Sequence, residues 1–229
     1  MQNKAAYIIR KTWVRPSSSV IDRFRGVPTA LIADAMGHGF GVVDFDIRPV
    51  WDGPDFVGPA LPVETAPHDI LAVHVGVKYS LPGDVIVIAT GRSMKAAVMG
   101  EMTTTLLRSA GIVAAVTDGV VRDLREIVSN GLPVYAAGIS PGIPFKNGPG
   151  RVGLPVSVGG IAISPGDIVV GDRDGVVVVP WCYAERTLEA IEDARRIDLK
   201  LGAVMAGGTK VPPHVVQSLA GTEVHYVDS

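Results

Sequence analysis

The chain has 229 residues, of which 47% are hydrophobic and 19% charged, and its formal net charge is −2. A near-neutral chain without a basic stripe argues against nucleic-acid binding, and no apolar run approaches the ~20 residues that a membrane-spanning helix needs. The single cysteine, Cys182, excludes an internal disulfide. We therefore expect a soluble cytoplasmic protein with neither a nucleic-acid nor a membrane partner.

The amino-terminal part predicts a helical segment over about residues 17–38. Ser17, Ser18 and Ser19 offer hydroxyl groups for the N-cap of a first helix. Pro28 is suited to open a second helix, and Gly37 is placed to end it.

Two Pro-Gly-Asp turns each lead into a fully apolar run, Pro82–Ile88 and Pro165–Val170. Apolar runs without polar alternation are typical of strands that are buried on both faces. The two copies are compatible with a pseudo-repeat, but tight turns also recur by chance.

The stretch between these copies alternates between helix and strand patterns. Residues 93–110 carry apolar side chains at near-helical spacing, and 112–116 form an apolar strand pattern. A short helix pattern over 124–130, closed by Gly131, and another strand pattern over 132–137 follow. This alternation predicts a parallel α/β core. We expect one domain over residues 1–229, with this core at about 41–180 and a carboxyl-terminal helix at about 182–202.

The densest polar cluster within the apolar core is Thr117-Asp118-Gly119-Val120-Val121-Arg122-Asp123. It follows a predicted buried strand, and open α/β sheets bind ligands beyond the carboxyl ends of their strands. Gly119 permits a sharp turn there. Arg122 is suited to a carboxylate and Asp123 to a hard cation. The alternative is an Arg–Asp pair that only caps the following helix, because Asp123 also stands at its N-cap position.

Gly100 interrupts the helical pattern of residues 93–110. A glycine inside a helix costs roughly 1 kcal/mol, which indicates either a close backbone approach or a helix that restarts at Glu101. A restart would offer the free N–H groups of residues 101–103 to an anion. The alternative is that Gly100 relieves helix packing and Glu101 is solvated.

Two further polar features have plainer interpretations. The segment Asp172–Gly175 lies between two apolar runs and predicts a hairpin turn. The five histidines lack the spacing of metal ligands, and His74 is interpreted as a core or sheet residue.

In combination, these motifs resemble the family that contains 4-hydroxy-4-methyl-2-oxoglutarate (4-carboxy-4-hydroxy-2-oxoadipate) aldolase and the RraA-type regulators of ribonuclease E. The resemblance covers about two thirds of the chain. It is carried by the motifs Pro82-Gly83-Asp84, Gly100-Glu101-Met102, Asp118-Gly119-x-x-Arg122-Asp123, Gly131-Leu132-Pro133-Val134, Pro165-Gly166-Asp167 and Gly171-Asp172-x-Asp174-Gly175-Val176, with Thr29–Asp34 and Gly58-Pro59-Ala60 as earlier signatures.

The resemblance implies an α/β/α sandwich of the swivelling-domain type, assembled as a homotrimer or homohexamer with sites at subunit interfaces. It further implies a divalent-metal-dependent lyase that releases pyruvate from a 4-hydroxy-2-oxo acid, with oxaloacetate decarboxylation as a side activity. Arg122 and Asp123 would be catalytic, with Asp123 holding Mg²⁺ or Mn²⁺. The pyruvyl group would be bound by Gly100, Glu101, Met102, Thr103 and Arg122.

The resemblance has departures and leaves alternatives open. Ala89-Thr90 stand where many relatives carry an aspartate, and the glycine-rich segment Gly142–Gly153 carries Lys146 and Arg151. Both features bear on the choice of substrate. The base is unassigned, with a metal-associated water and Glu101 as candidates. Alternative functions are a non-catalytic regulator that binds a ribonuclease and a metal-dependent 2-oxo acid decarboxylase.

Overall fold

The computed structural model describes residues 6–37, 39–208, 211–225 and 227. The α-helices among these residues are α1 (Ser18–Phe24), α2 (Thr29–Met36), α3 (Leu71–Val77), α4 (Glu101–Ser109), α5 (Leu124–Asn130), α6 (Ala184–Ala206) and α7 (Pro213–Ala220). The strands are β1 (Tyr7–Ile9), β2 (Arg48–Pro49), β3 (Phe56–Thr65), β4 (Val85–Ala89), β5 (Ala114–Thr117), β6 (Val120–Val121), β7 (Val134–Ala136), β8 (Gly138–Ile139), β9 (Gly150–Val152), β10 (Val156–Val158), β11 (Ile161–Ile163), β12 (Ile168–Asp172) and β13 (Gly175–Val179).

A mixed sheet forms the centre of the molecule. Its strands run in the order β1-β9-β3-β4-β5-β7-β2, and the pairs β3–β4, β4–β5 and β5–β7 are parallel. Helices α3, α4 and α5 connect these parallel strands in turn. The strand β12 pairs antiparallel with the first part of β3 and turns into β13 between Asp172 and Gly175. The predicted parallel α/β core and this hairpin are confirmed, and the fold is an α/β sandwich.

The strand β4 illustrates why its sequence is apolar throughout. Ile86 and Ile88 belong to the apolar cluster beneath α3, α4 and α5, whereas Val85 and Val87 belong to the cluster beneath the β10–β11 hairpin. Successive side chains of a strand point to opposite faces, so a strand covered on both sides lacks a polar position. Burying each of these side chains contributes about 1.5–3 kcal/mol.

The two Pro-Gly-Asp turns have the same construction. The carboxylate of Asp84 accepts the N–H of Leu81 at 2.8 Å, and that of Asp167 accepts the N–H of Ser164 at 2.7 Å. Both aspartates are buried, and this burial raises the pKa of each carboxyl group. Asp84 also pairs with Arg15. The turns lead into β4 and β12, which both pair with β3. The repeated motif is therefore a hydrogen-bonded turn that precedes a strand of the sheet.

Helices at both ends of the chain cover the β12–β13 hairpin. The Ser17 hydroxyl caps α1 through the N–H of Val20 at 3.4 Å. In α6, Leu188 and Ile191 are buried with residues of α1 and α2, whereas the later turns are largely exposed. A further helix, α7, lies in the carboxyl-terminal tail. None of the described helices is long and apolar enough to span a membrane.

Candidate active site

Asp118 organises the end of β5. Its buried carboxylate accepts the N–H of Thr90 at 2.7 Å, the hydroxyl of Thr90 at 2.9 Å and the N–H of Arg92 at 3.0 Å. It thereby ties the loop after β4 to the turn after β5. The backbone of Gly119 is not in the left-handed region, but a Cβ at this residue would lie 2.9 Å from Cγ2 of Thr90. The chain bends here as predicted, but the close approach of Thr90, and not a backbone conformation that only glycine adopts, is the reason for glycine at this position.

Arg122 and Asp123 form the corner between β6 and α5. Asp123 has a left-handed backbone, with φ 58° and ψ 45°, a conformation that is uncommon outside glycine and best tolerated by Asn and Asp. It stands at the N-cap of α5, yet its side chain makes no capping hydrogen bond there. Its Oδ2 instead accepts the N–H of Glu101 at 3.1 Å and lies 3.4 Å from Nε of Arg122. The helix-cap alternative is therefore wrong for this side chain.

Gly100 makes this approach possible. The helix predicted over residues 93–110 begins only at Glu101, with Gly100 in an extended conformation before it. A Cβ at residue 100 would lie 2.2 Å from Oδ2 of Asp123 and 3.0 Å from Cγ of Arg122. The restart and the close approach, proposed as alternatives from the sequence, therefore occur together.

The first turn of α4 leaves two backbone donors available. The N–H of Thr104 donates to the Gly100 carbonyl, whereas the N–H groups of Met102 and Thr103 have no acceptor among the described residues. Such donors at a helix N-terminus favour an anion. The Met102 side chain is 81% exposed, whereas Thr103 is buried and its hydroxyl lies 3.3 Å from Nε2 of His74.

His74 and the loop between β8 and β9 complete the lining of the cavity. His74 lies on α3, which corrects its interpretation as a sheet or core residue. The loop contributes Ile143, Pro144 and Lys146. Burial lowers the pKa of His74, and the nearby Lys146 lowers it further. Sequence reasoning missed His74 because nothing local indicates that α3 faces the start of α4.

These walls enclose a cavity of about 430 Å³, within the range of small-molecule sites. The cavity brings together all the predicted site residues: Gly100, Glu101, Met102, Thr103, Arg122 and Asp123. Glu126 also lines it. Arg122 and Asp123 are both 36% exposed through their side chains, so each is accessible to a ligand.

The carboxylates of the cavity are the candidate ligands of a divalent cation. No group of three or more His, Cys, Asp or Glu suited to a metal occurs among the described residues. Mg²⁺, however, is commonly held by one or two carboxylates and keeps several waters. Oδ1 of Asp123 has no hydrogen-bond partner in the described part of the chain, and Glu101 and Glu126 lie in the same cavity. The residues therefore fit a largely hydrated Mg²⁺ or Mn²⁺.

A larger cavity of about 590 Å³ lies at the other end of the parallel strands, beside the turn at Pro82–Asp84. Two of its three arginines are already paired, Arg15 with Asp84 and Arg25 with Asp22. The smaller cavity is the better candidate because its polar groups converge and remain available to a ligand.

Comparison with known proteins identifies the family. A model of the Aldolase/RraA family matches residues 29–178. A protein of Halalkalibacterium halodurans, provisionally named 4-hydroxy-4-methyl-2-oxoglutarate aldolase, is 36% identical over 169 residues, which are 74% of this chain and 80% of that protein.

Solved structures share the fold. An uncharacterized protein from Pseudomonas syringae pv. tomato aligns with a TM-score of 0.73 and 25% identity, over 86% of this chain and 97% of that one. Streptomyces coelicolor RraAS2, an unusual member of the RNase ES inhibitor RraA family, aligns with a TM-score of 0.69 and 24% identity, over 80% of this chain and 96% of that one. From the match to its model and the similarity to its members, this chain belongs to the Aldolase/RraA family.

Proposed function

We propose that the protein is a divalent-metal-dependent aldolase that cleaves 4-hydroxy-2-oxo acids into pyruvate and a second oxo acid. The observation that carries this proposal is the contact between the Asp123 carboxylate and the start of α4, with Arg122 beside it in one cavity. This arrangement combines a carboxylate that can hold a cation, a guanidinium group and free N–H donors, which are the groups that a site for a 2-oxo acid and its metal ion needs. The substrates proposed are 4-hydroxy-4-methyl-2-oxoglutarate and 4-carboxy-4-hydroxy-2-oxoadipate.

Asp123 is the proposed ligand of Mg²⁺ or Mn²⁺. A bound cation would supply Lewis-acid polarisation of the 2-oxo group. The Glu101 N–H orients the Asp123 carboxylate at 3.1 Å, and outer contacts of this kind tune a metal ligand.

Arg122 and the start of α4 are the proposed binding groups for the pyruvyl part of the substrate. The guanidinium and the N–H groups of Met102 and Thr103 neutralise its carboxylate. When the C3–C4 bond breaks, its electron pair passes to the pyruvate unit as an enolate, and Arg122 stabilises the developing charge. Protonation at C3 then yields pyruvate.

Cleavage also needs a base to take the proton from the C4 hydroxyl group. Glu101 is a candidate because its side chain is exposed at the cavity and forms no ion pair within the described residues. A water on the cation is the other candidate. Glu101→Gln distinguishes the two candidates, because the substitution removes the Glu101 carboxylate and leaves a water on the cation in place.

A second subunit is expected to cover the mouth of the cavity. Met102 and Ile143, which line the cavity, are 81% and 78% exposed, and Phe145, between the lining residues Pro144 and Lys146, is 62% exposed. Apolar side chains concentrated at one place favour a protein interface. We therefore expect a homotrimer or homohexamer. Light scattering after size-exclusion chromatography measures the molar mass that distinguishes them.

A coupled assay for pyruvate tests the proposed function. We expect release of pyruvate from 4-hydroxy-4-methyl-2-oxoglutarate with Mg²⁺ or Mn²⁺, abolished by EDTA and restored by the metal. Release from oxaloacetate alone would instead favour the decarboxylase. Turnover of neither substrate by the metal-loaded protein would contradict the proposal and favour the ribonuclease-binding regulator. That function is compatible with the fold that this chain shares with RraAS2.

A further inference from the structure

Lys146 presents a second cation to the cavity. It lies on the loop between β8 and β9, whereas Arg122 lies at the β6–α5 corner of the same cavity. Lys146 forms no ion pair with any described residue, and its side chain is exposed at the mouth. An ammonium group in this position is free to meet a charge that a ligand brings.

The backbone around Lys146 is anchored on both sides. The N–H of Phe145 donates to the His68 carbonyl at 2.7 Å, and the Phe145 carbonyl accepts the N–H of Ile70 at 3.0 Å. The buried carboxylate of Asp69 accepts the N–H of Asn147 at 2.6 Å and that of Gly148 at 3.1 Å. The backbone that carries Lys146 is therefore held in place, which lowers the entropic cost of bringing its side chain to a ligand.

The neighbours of Lys146 leave its charge uncompensated. His74 is the titratable group beside it on α3, and it favours the neutral form because burial and Lys146 both lower its pKa. The cavity also holds the carboxylates of Glu101 on α4, Asp123 at the β6–α5 corner and Glu126 on α5, and none of them forms an ion pair with Lys146. An anion placed between Lys146 and His74 would therefore find one positive and one neutral partner.

We propose that Lys146 is the specificity-determining residue that binds the second carboxylate of a dicarboxylic 4-hydroxy-2-oxo acid. The inference rests on the proposed function, in which Arg122 and the start of α4 bind the first carboxylate. The chain of the substrate then spans the cavity between Arg122 and Lys146. Lys146 discriminates dicarboxylic from monocarboxylic substrates and takes no part in breaking the bond.

Two substrates that differ by one carboxylate test this inference. 4-Hydroxy-4-methyl-2-oxoglutarate carries the second carboxylate, and 4-hydroxy-2-oxopentanoate has a hydrogen in its place. For Lys146→Met, we expect the ratio of their kcat/KM values to fall about 10- to 100-fold, the usual effect of losing a hydrogen bond to a charged group. The monocarboxylic substrate should be cleaved as by the wild type. Lys146→Arg, which keeps the charge, should retain most of the preference.

Two controls separate this role from general damage. Lys200→Met removes a lysine that is exposed on α6, and it should leave the ratio unchanged. Oxalate, which lacks the distal part of the substrate, should bind Lys146→Met and the wild type equally in calorimetry with Mg²⁺. Far-UV circular dichroism checks that the exposed substitution leaves the fold intact.

Several outcomes would overturn the proposed role of Lys146. An equal loss on both substrates, or an unchanged ratio, would overturn the role of Lys146 in selectivity. Trapping of pyruvate on Lys146 by borohydride would also overturn it, since it would assign the lysine a covalent role. If the wild type cleaves neither substrate, the proposed function fails and this inference fails with it.

Discussion

The carboxylate of Asp123 accepts the backbone N–H of Glu101 at 3.1 Å, although the two residues lie 22 positions apart. This contact joins the corner between β6 and α5 to the start of α4. It turns a side chain that stands at an N-cap position away from its own helix and toward the cavity. The contact thus brings the proposed metal ligand and the proposed carboxylate-binding donors into one site.

Asp123→Asn should separate charge from geometry. Asparagine tolerates the left-handed backbone and keeps an oxygen that can accept the Glu101 N–H, but it lacks the negative charge. We expect a thermal midpoint close to that of the wild type, Mn²⁺ binding weakened at least about 10-fold and aldolase activity lowered about 10²- to 10³-fold. Electron paramagnetic resonance of Mn²⁺ measures the affinity without turnover. Unchanged Mn²⁺ affinity would rule out Asp123 as the ligand.

Arg122→Lys should be severe although the charge is conserved. Lysine cannot reproduce the planar fork that binds a carboxylate through two hydrogen bonds. We expect kcat/KM for 4-hydroxy-4-methyl-2-oxoglutarate to fall about 10²- to 10³-fold. Arg125→Lys is the matched control, because Arg125 is exposed on the next turn of the chain and does not line the cavity. Wild-type kinetics in Arg122→Lys would defeat the assignment.

Gly100→Ala should damage the site through sterics alone. The added Cβ would lie 2.2 Å from Oδ2 of Asp123, so the carboxylate or the start of α4 must move. We expect a loss of about 1–3 kcal/mol in the free energy of unfolding, with weaker metal binding. Gly202→Ala in α6 is the control, because its Cβ meets nothing within 4 Å, and it should stabilise by about 1 kcal/mol. Normal metal binding in Gly100→Ala would show that the close contact is dispensable.

The pKa of His74 should lie below its ordinary value of 6.5, chiefly because of burial and then because of Lys146. The unfolded chain binds this proton more readily, so the contribution of neutral His74 to stability is full above pH 6.5 and is lost as the pH falls below it. Nuclear magnetic resonance titration in EDTA measures the pKa directly. Lys146→Met should raise it only partly, since burial remains, whereas Lys200→Met should leave it unchanged. An unaltered pKa in Lys146→Met would contradict the proximity of the two side chains.

Several elements could be predicted from the sequence because their causes are local. A strand such as β4 is recognisable since both of its faces are buried, which demands an unbroken apolar run. The Pro-Gly-Asp turns are recognisable since each aspartate closes a hydrogen bond only three residues away. The order of strand and helix patterns was sufficient to predict the parallel core, because parallel neighbours need a crossover connection.

The walls of the cavity depended on contacts that no local pattern encodes. The bond between His74 and Thr103 spans 29 positions, and that between Asp69 and Asn147 spans 78. The sequence alone likewise did not decide whether the Asp123 side chain caps α5 or contacts the start of α4, because the position of α4 depends on tertiary packing. The residue types of the site are a property of the sequence, since charge and hydrogen-bonding capacity belong to each side chain. Their convergence belongs to the tertiary structure, because only packing of the helices against the sheet brings distant positions within hydrogen-bonding distance.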